Sequence, residues 1–513
     1  MERCILNAAN GRKNAPFFYQ NRAFEQQKPS SVPLFFINFA ATMTILITLL
    51  VYFGALLVLS RLTTRHSSND TFYRGNRQSP WPLVAFGMVG ASISGVTFIS
   101  VPGMAVTTQF TYLQMCLGFA VGYVVVAFVL LPVYYRLNLT TIYSYLQTRL
   151  GQQAYKTGAG FFLLSKILGS AVKFGVICMV LQRFVLDALH IPFALTVVLM
   201  MGLIWLYTRR GGIKTLVFTD TFQTFCMFAA LLLIIWQVNG ALHYSLSDSL
   251  RAIVADEHSR IFVWDDFMSR QNFWKQFLSG IFVVVVMTGL DQDMMQKNLT
   301  CKGLREAQKD MCSYGLAFFP ANLLFLALGV LLMQLAAQQG SPLPALTDDL
   351  LPLFAASGRL GTAVVVFFTI GIVAASFSSA DSALTALTTT WCVDIAERPH
   401  DERLRRRTHA LMAVAFAAMI LIFNAVNTTS VIDAIYTLCS YTYGPLLGLF
   451  AFALFTRYRV RGRWVPWVCI ISPVICWAVS LLTQQTTGYE MGYERLMLNG
   501  ALTFGGLFIF RAR

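Results

Sequence analysis

The chain has 513 residues, 56% hydrophobic and only 12% charged, with a net charge of +15. Soluble proteins carry about 25% charged residues, and no soluble core needs the many apolar runs of about 20 residues found here, each long enough to cross a hydrocarbon layer. The composition therefore excludes a soluble globular protein and implies an all-α integral membrane protein with about 13 transmembrane helices.

Residues 1–42 form an atypical polar segment with Arg3, Arg12, Lys13, Arg22 and Lys28. It lacks the short apolar stretch and small-residue cleavage site of a signal peptide. Two readings stay open: a disordered tail, or a functional chain beginning near Met43. A peripheral span covers 43–60. Spans near 82–105, 112–134, 160–186, 191–207 and 216–238 fill a first half, 81–239, and a loop follows at 240–272. Spans near 273–291, 313–337, 360–391, 409–426 and 431–455 fill a second half, 273–455. Two more, near 465–483 and 496–510, lie in 463–513.

Charge alternates between the loops. One set carries Arg61, Arg65, Arg74 and Arg77, then Arg209, Arg210 and Lys214, then Lys297, Lys302, Arg305 and Lys309. It continues with Arg403, Arg405, Arg406 and Arg407, and with Arg457, Arg459, Arg461 and Arg463. The opposite set is nearly free of net charge. Lys and Arg stay on the cytoplasmic side, so the N-terminus lies outside and the C-terminal Arg511-Ala512-Arg513 inside a cell (inner) membrane. A basic face against anionic lipid accounts for the net charge, and no nucleic-acid partner is needed.

The ten cysteines include no CxxC pair, and the six histidines fall in or beside loops. Neither a disulfide framework nor a metal site other than one for sodium is expected, nor a histidine proton relay. No GxxxxGK[ST] and no HExxH is present, so the chain does not read as an enzyme. No obligate protein partner is implied.

Two spans carry break signals. "FGMVGASISGVTFISVPG" holds Gly87, Gly90 and Gly95 among Ser92 and Ser94, and "FLSGIFVVVVMTGLDQDMMQKN" holds Gly280 and Thr288-Gly289. Glycine is also common where membrane helices touch. The pair says more than either alone, because the two spans lie five apart and enter from opposite sides. That is the pattern of an inverted repeat of five plus five helices, with discontinuous first and sixth core helices and binding near the midplane.

The stretch "SFSSADS" sits inside the apolar run 360–391. At about 100° per residue, Ser378, Asp381 and Ser382 share roughly a 100° arc. Such a cluster faces the bundle interior, and an acid at that depth marks function more often than glue. Hydroxyls, carbonyls and carboxylates are hard ligands suited to a small cation such as Na⁺. Asp220 begins its span either as a dipole-favoured acid or as part of this site. Lys173, near the middle of its span, either pairs with Asp381 or Asp220 or offers counter-charge to an anionic solute. Lys166 is expected to snorkel, and Asp291 and Asp293 to be solvated at a span end.

"FYRGNRQSPW", "GGIKTLVFTDTFQ", "GLDQDMMQKNLTCK" and "SSADSALTALTTTWCVDI" together resemble the sodium:solute symporter family, over about residues 43–455. The resemblance implies the five-plus-five inverted-repeat fold and sodium-driven uptake by alternating access. It implies one sodium at Ser378, Ser379 and the carbonyls of Ala375, Gly90 and Ile93. A second sodium site, as in sialic acid members, would fall on Asp220, Ser378, Asp381 and Ser382, with Asp381 standing where those members have serine. Galactose-transporting members have Gln, Asn, Tyr and Trp where this chain has Thr97, Val284, Met287 and Thr288, which speaks against the same sugar recognition. Lys173 matches a cationic, carboxylate-binding position of sialic acid members, so an organic anion is expected, with Ser94, Thr97 and Gln114 as further solute contacts. The alternatives are a neutral sugar or amino acid, or a transporter-like membrane sensor. A passive channel is disfavoured, since no repeated pore-lining ring is present.

Overall fold

The computed structural model describes residues 39–64, 68–182, 186–187, 190–356, 358–426 and 431–512. The expectations for residues 1–38 lie outside the described residues. Everything described is helical apart from loops and one two-stranded ribbon, Arg459–Val460 paired antiparallel with Arg511–Ala512.

The helices run in chain order as α1 (Phe39–Thr63), α2 (Trp81–Ser92), α3 (Gly95–Thr108), α4 (Tyr112–Val125), α5 (Gln152–Leu181), α6 (Phe193–Gly211) and α7 (Ile213–Leu242). They continue as α8 (Phe273–Val284), α9 (Gln292–Asn298), α10 (Leu304–Gln338), α11 (Thr362–Thr390) and α12 (Glu402–Val426). The last four are α13 (Val431–Thr442), α14 (Gly444–Phe455), α15 (Val465–Thr487) and α16 (Arg495–Ile509). Among the described residues, nine helices are long and apolar enough to cross a membrane, or ten if the bent pair α8 and α9 counts as one span. Trp81–Ser92, Gly444–Phe455 and Arg495–Ile509 are apolar but shorter.

Both expected breaks are present, the first between Gly90 and Gly95 and the second just past Gly289. The first lies at Ile93 and Ser94, where Ile93 takes φ −78°, ψ 81° and Ser94 is extended at ψ 171°. The second lies at Leu290 and Asp291, after a π-turn over Val285–Gly289, with a bend of 69° between α8 and α9. Gly90 and Gly280 are packing glycines: a methyl on Gly90 would collide with the Thr224 hydroxyl of α7, and one on Gly280 with the Met115 carbonyl of α4. Small residues let backbones approach closely where lipid gives no hydrophobic drive between helices.

A helix end in a bilayer must find partners for its freed backbone groups. At the second break the Tyr134 hydroxyl donates to the Gly289 carbonyl (2.8 Å) and the Tyr143 hydroxyl to the Leu290 carbonyl (2.9 Å). Asp291 caps α9 by accepting the Asp293 N–H at 2.8 Å. At the first break the Val89 carbonyl accepts from Ile93 N–H, and the Ala91 carbonyl accepts from the Ser379 hydroxyl of α11. Extensive helix contacts pack α7 on α11, α4 on α8 and α2 on α7. They bring α11, with its serines, against the first break.

Candidate cation and solute site

Three elements line a narrow, closely packed pocket at the first break. The break supplies Ser94, α5 supplies Ser170, Lys173 and Phe174, and α11 supplies Ser376, Ser379 and Ala380. Among the described residues Lys173 makes no ion pair, because the two core lysines that do are Lys166 and Lys297. The lining therefore combines one ammonium with four hydroxyls, a set able to hold an anion by charge and to orient it by hydrogen bonds.

Of the oxygens expected to hold the first sodium, those of Ser379 and Ala375 lie together beside this pocket. The Ser379 hydroxyl lies 2.9 Å from the Ala91 carbonyl and 3.4 Å from the Ala375 carbonyl. Ala375 and Ile93 are fully buried, and Gly90 sits one turn back on α2, its carbonyl left without a helical donor by the break. Ala91 was not foreseen. Ser378 points the other way, its hydroxyl donating to Asp220 Oδ1 at 2.8 Å. A hydroxyl that gives its proton to a carboxylate keeps both lone pairs free to accept.

The residues expected at a second sodium site are together, but with two partners that sequence reasoning missed. Lys297 of α9 places Nζ 2.7 Å from Asp220 Oδ2, both side chains almost wholly buried. Tyr207 of α6 donates to Asp381 Oδ2 at 2.6 Å, and Ser382 to Asp381 Oδ1 at 3.2 Å. Lys297 also lies within electrostatic reach of Asp293 and Asp381. The positive charge at Asp220 is thus already supplied by the chain. Lys297 had been counted as a loop charge. Its i, i+4 spacing from Asp293 in "DQDMMQKN" was the available signal that both share a helix face.

Several charges lie elsewhere than expected. Lys166 does not snorkel: it turns inward, 2.6 Å from Asp293 Oδ2 and 3.0 Å from Asp291 Oδ2. Asp291 and Asp293 are buried rather than solvated, because α9 is drawn into the bundle by these contacts and by the Tyr443 hydroxyl on Asp291 at 2.7 Å. Lys173 pairs with neither Asp381 nor Asp220, since Tyr207 and Lys297 hold them. Arg405, another counted loop charge, is buried with its guanidinium 4.6 Å from the Phe72 ring centre. His409 is buried in α12 rather than beside a loop, held between the Thr208 and Thr388 hydroxyls at 2.9 and 2.8 Å.

Of the remaining expected solute contacts, Thr97 is half-buried on α3 and does not line the cavity. Gln114 is committed to the loop before α8: its amide donates to the Gln271 carbonyl at 2.9 Å and accepts the Val263 N–H at 3.1 Å. Among the described residues no His, Cys, Asp and Glu group has the arrangement of a resident metal centre.

The profile of the sodium:solute symporter family matches residues 72–462. The chain belongs to the sodium:solute symporter family. The symporter is 26% identical over 440 residues to the sodium/sialic acid symporter NanT of Aliivibrio fischeri, covering 80% of this chain and 83% of that one. It is 29% identical over 250 residues to the human sodium/iodide cotransporter, covering 48% of this chain and 37% of that protein. Its fold matches a Na⁺-coupled sialic acid symporter solved in a substrate-bound, outward-open state. That match has a TM-score of 0.76 at 18% identity, over 93% of this chain and 98% of the other. The chain is therefore a multi-pass membrane transporter, not an enzyme, and it couples solute movement to sodium.

Proposed function

We propose that the symporter carries a small organic anion, a sialic acid or another carboxylate, into the cytoplasm with sodium by alternating access. One observation carries this reading: the Lys173 ammonium lies without an ion-pair partner among the described residues, in a narrow pocket of serine hydroxyls beside the proposed sodium ligands. A half-buried charge without a counter-ion is a natural place for a ligand of opposite charge, and an anion would fill it. The named cargoes of the two reported relatives, sialic acid and iodide, are anions at neutral pH.

The chain is best read with 13 spans, α2–α3, α8–α9 and α13–α14 counting as one each. Packing supports the inverted repeat. With α2–α3 to α7 as core helices one to five and α8–α9 to α14 as six to ten, a shift of five exchanges several of the main contacts, though not that of α2 with α7. The pair α4 with α8 maps onto α10 with α3, and α7 with α11 maps onto α13 and α14 with α5. The pairs α5 with α11 and α6 with α12 map onto themselves. The basic loops would face the cytoplasm across an inner membrane, with the N-terminus outside. Sodium would bind at Ser378, Ser379 and the carbonyls of Ala375, Gly90 and Ile93, and the Asp220–Ser378–Asp381–Ser382 group would be the place for a second ion.

Sodium held between α2 and α11 would favour the state whose cavity accepts solute. Differential affinity between states is what couples the two movements. One charge falling through 100 mV releases about 2.3 kcal/mol, enough for about fifty-fold accumulation.

The test is a thermal-shift screen of purified protein against sugars, amino acids and organic acids, in Na⁺ and in K⁺, repeated on Lys173→Gln. Stabilisation by an acid in Na⁺, weakened at least tenfold in Lys173→Gln, supports the reading. A neutral solute that binds wild type and variant alike would favour the sugar or amino-acid alternative. Binding without uptake into vesicles would favour a sensor.

A further inference from the structure

Lys166 and Lys173 lie seven residues apart on α5, two turns on the same face and about 10.5 Å along the axis. One faces the second break and the other the cargo cavity. At the second break Lys166 Nζ meets Asp293 Oδ2 at 2.6 Å and Asp291 Oδ2 at 3.0 Å. Asp291 is otherwise satisfied, by Tyr443 at 2.7 Å and by the Asp293 N–H at 2.8 Å. Asp293 Oδ1 is buried with no hydrogen-bond partner. Two carboxylates therefore share the one Lys166 ammonium at the second break, two turns along α5 from Lys173. The nearby Lys297 is engaged on Asp220.

We infer that Lys166 is a specificity-determining residue: by holding both carboxylates at the second break, it leaves the Lys173 ammonium free for an anion. Its removal strands two buried carboxylates, which is strongly unfavourable. The free lysine on the same helix face is Lys173, whose flexible four-carbon stem lets the ammonium swing towards them. The cavity then loses its positive charge although every residue lining it is unchanged. Lys166 acts through Asp291 and Asp293 and touches no cargo. This inference rests on the proposed anion reading of the cavity.

The experiment compares wild type, Lys173→Gln, Lys166→Met and the triple variant Lys166→Met/Asp291→Asn/Asp293→Asn. The full-length protein is titrated with sodium acetate, lactate, N-acetylneuraminate and iodide, following thermal stabilisation, together with a sodium midpoint for each variant. Expected is a loss of anion affinity of about tenfold or more in Lys166→Met. In the triple variant, where no stranded carboxylates remain to draw Lys173 away, affinity returns to within about threefold of wild type, and the sodium midpoint stays within about threefold throughout. Unchanged anion affinity in Lys166→Met alongside its loss in Lys173→Gln overturns the inference and leaves the anion reading standing. Failure of the triple variant to recover, or a sodium midpoint that shifts with anion affinity, overturns it as well by assigning Lys166 a merely structural part. Equal binding to Lys173→Gln, or stabilisation of wild type by none of the four salts, removes the anion reading and the inference together.

Discussion

Hydroxyl direction separates the two adjacent serines of α11. Ser379 faces the first break and contacts the Ala91 carbonyl, whereas Ser378 gives its proton to Asp220. Ser379→Ala deletes an oxygen of the proposed sodium site without touching the charge network. We expect it to raise the sodium concentration for half-maximal uptake by about tenfold, the scale of one hydrogen-bond-strength contact to a charge, read from vesicle uptake at fixed solute. Lys297→Met acts differently, because it leaves Asp220 buried and unpaired. A loss of about 3–5 kcal/mol of stability is expected, seen as a lower melting temperature in detergent. Adding Asp220→Asn should recover most of it. If Lys297→Met melts like wild type, the pair contributes nothing to the fold.

At the scale of helices, the two breaks are stabilised by different chemistry. Tyrosines cap the carbonyls of the second break, and those tyrosines come from the segment between α4 and α5. A serine from α11 meets the carbonyl of the first. The second break is therefore tied to the α4–α5 connection by neutral contacts and to α5 by ionic ones, while the first is closed by a hydroxyl that a cation can also engage. The α4–α8 contact is set by backbone proximity: Gly118 and Gly280 each leave no room for a methyl, which would strike the Phe277 and Met115 carbonyls. Gly280→Ala forces the helices apart, and we expect about 1–3 kcal/mol of destabilisation by overpacking, measured by thermal melting. A melting temperature equal to wild type would mean that α8 shifts freely on α4.

For the whole molecule, sodium binding and stability are linked. A ligand that binds only the folded state stabilises it by RT ln(1 + [L]/Kd), about 1.4 kcal/mol at ten times Kd. NaCl should raise the melting temperature in a saturable way, and KCl at equal ionic strength should not. Equal effects of the two salts would count against a selective sodium site. An inward sodium gradient should likewise drive solute accumulation in vesicles, with potassium failing to replace it.

The amino-acid sequence by itself determined the class of molecule. Apolar runs near bilayer length force helices, because no backbone group can stay unpaired in hydrocarbon. The spacing of two interrupted spans gave the places of both breaks to within a few residues. "SFSSADS" announced an inward-facing polar wall, since hydroxyls and a carboxylate at that depth cannot face lipid. Partnership was decided only by tertiary structure. Lys297 and Arg405 look like ordinary loop cations, and Asp291 and Asp293 like solvated acids, yet all four are buried. Helical periodicity tells which residues share a face, but not how deep a short helix such as α9 sinks or which neighbour meets it. The charge pairing of Lys166 with Asp293 and of Lys297 with Asp220 joins residues 127 and 77 positions apart. Such contacts follow from the packing of α5, α7 and α9 around the breaks, which no local pattern encodes.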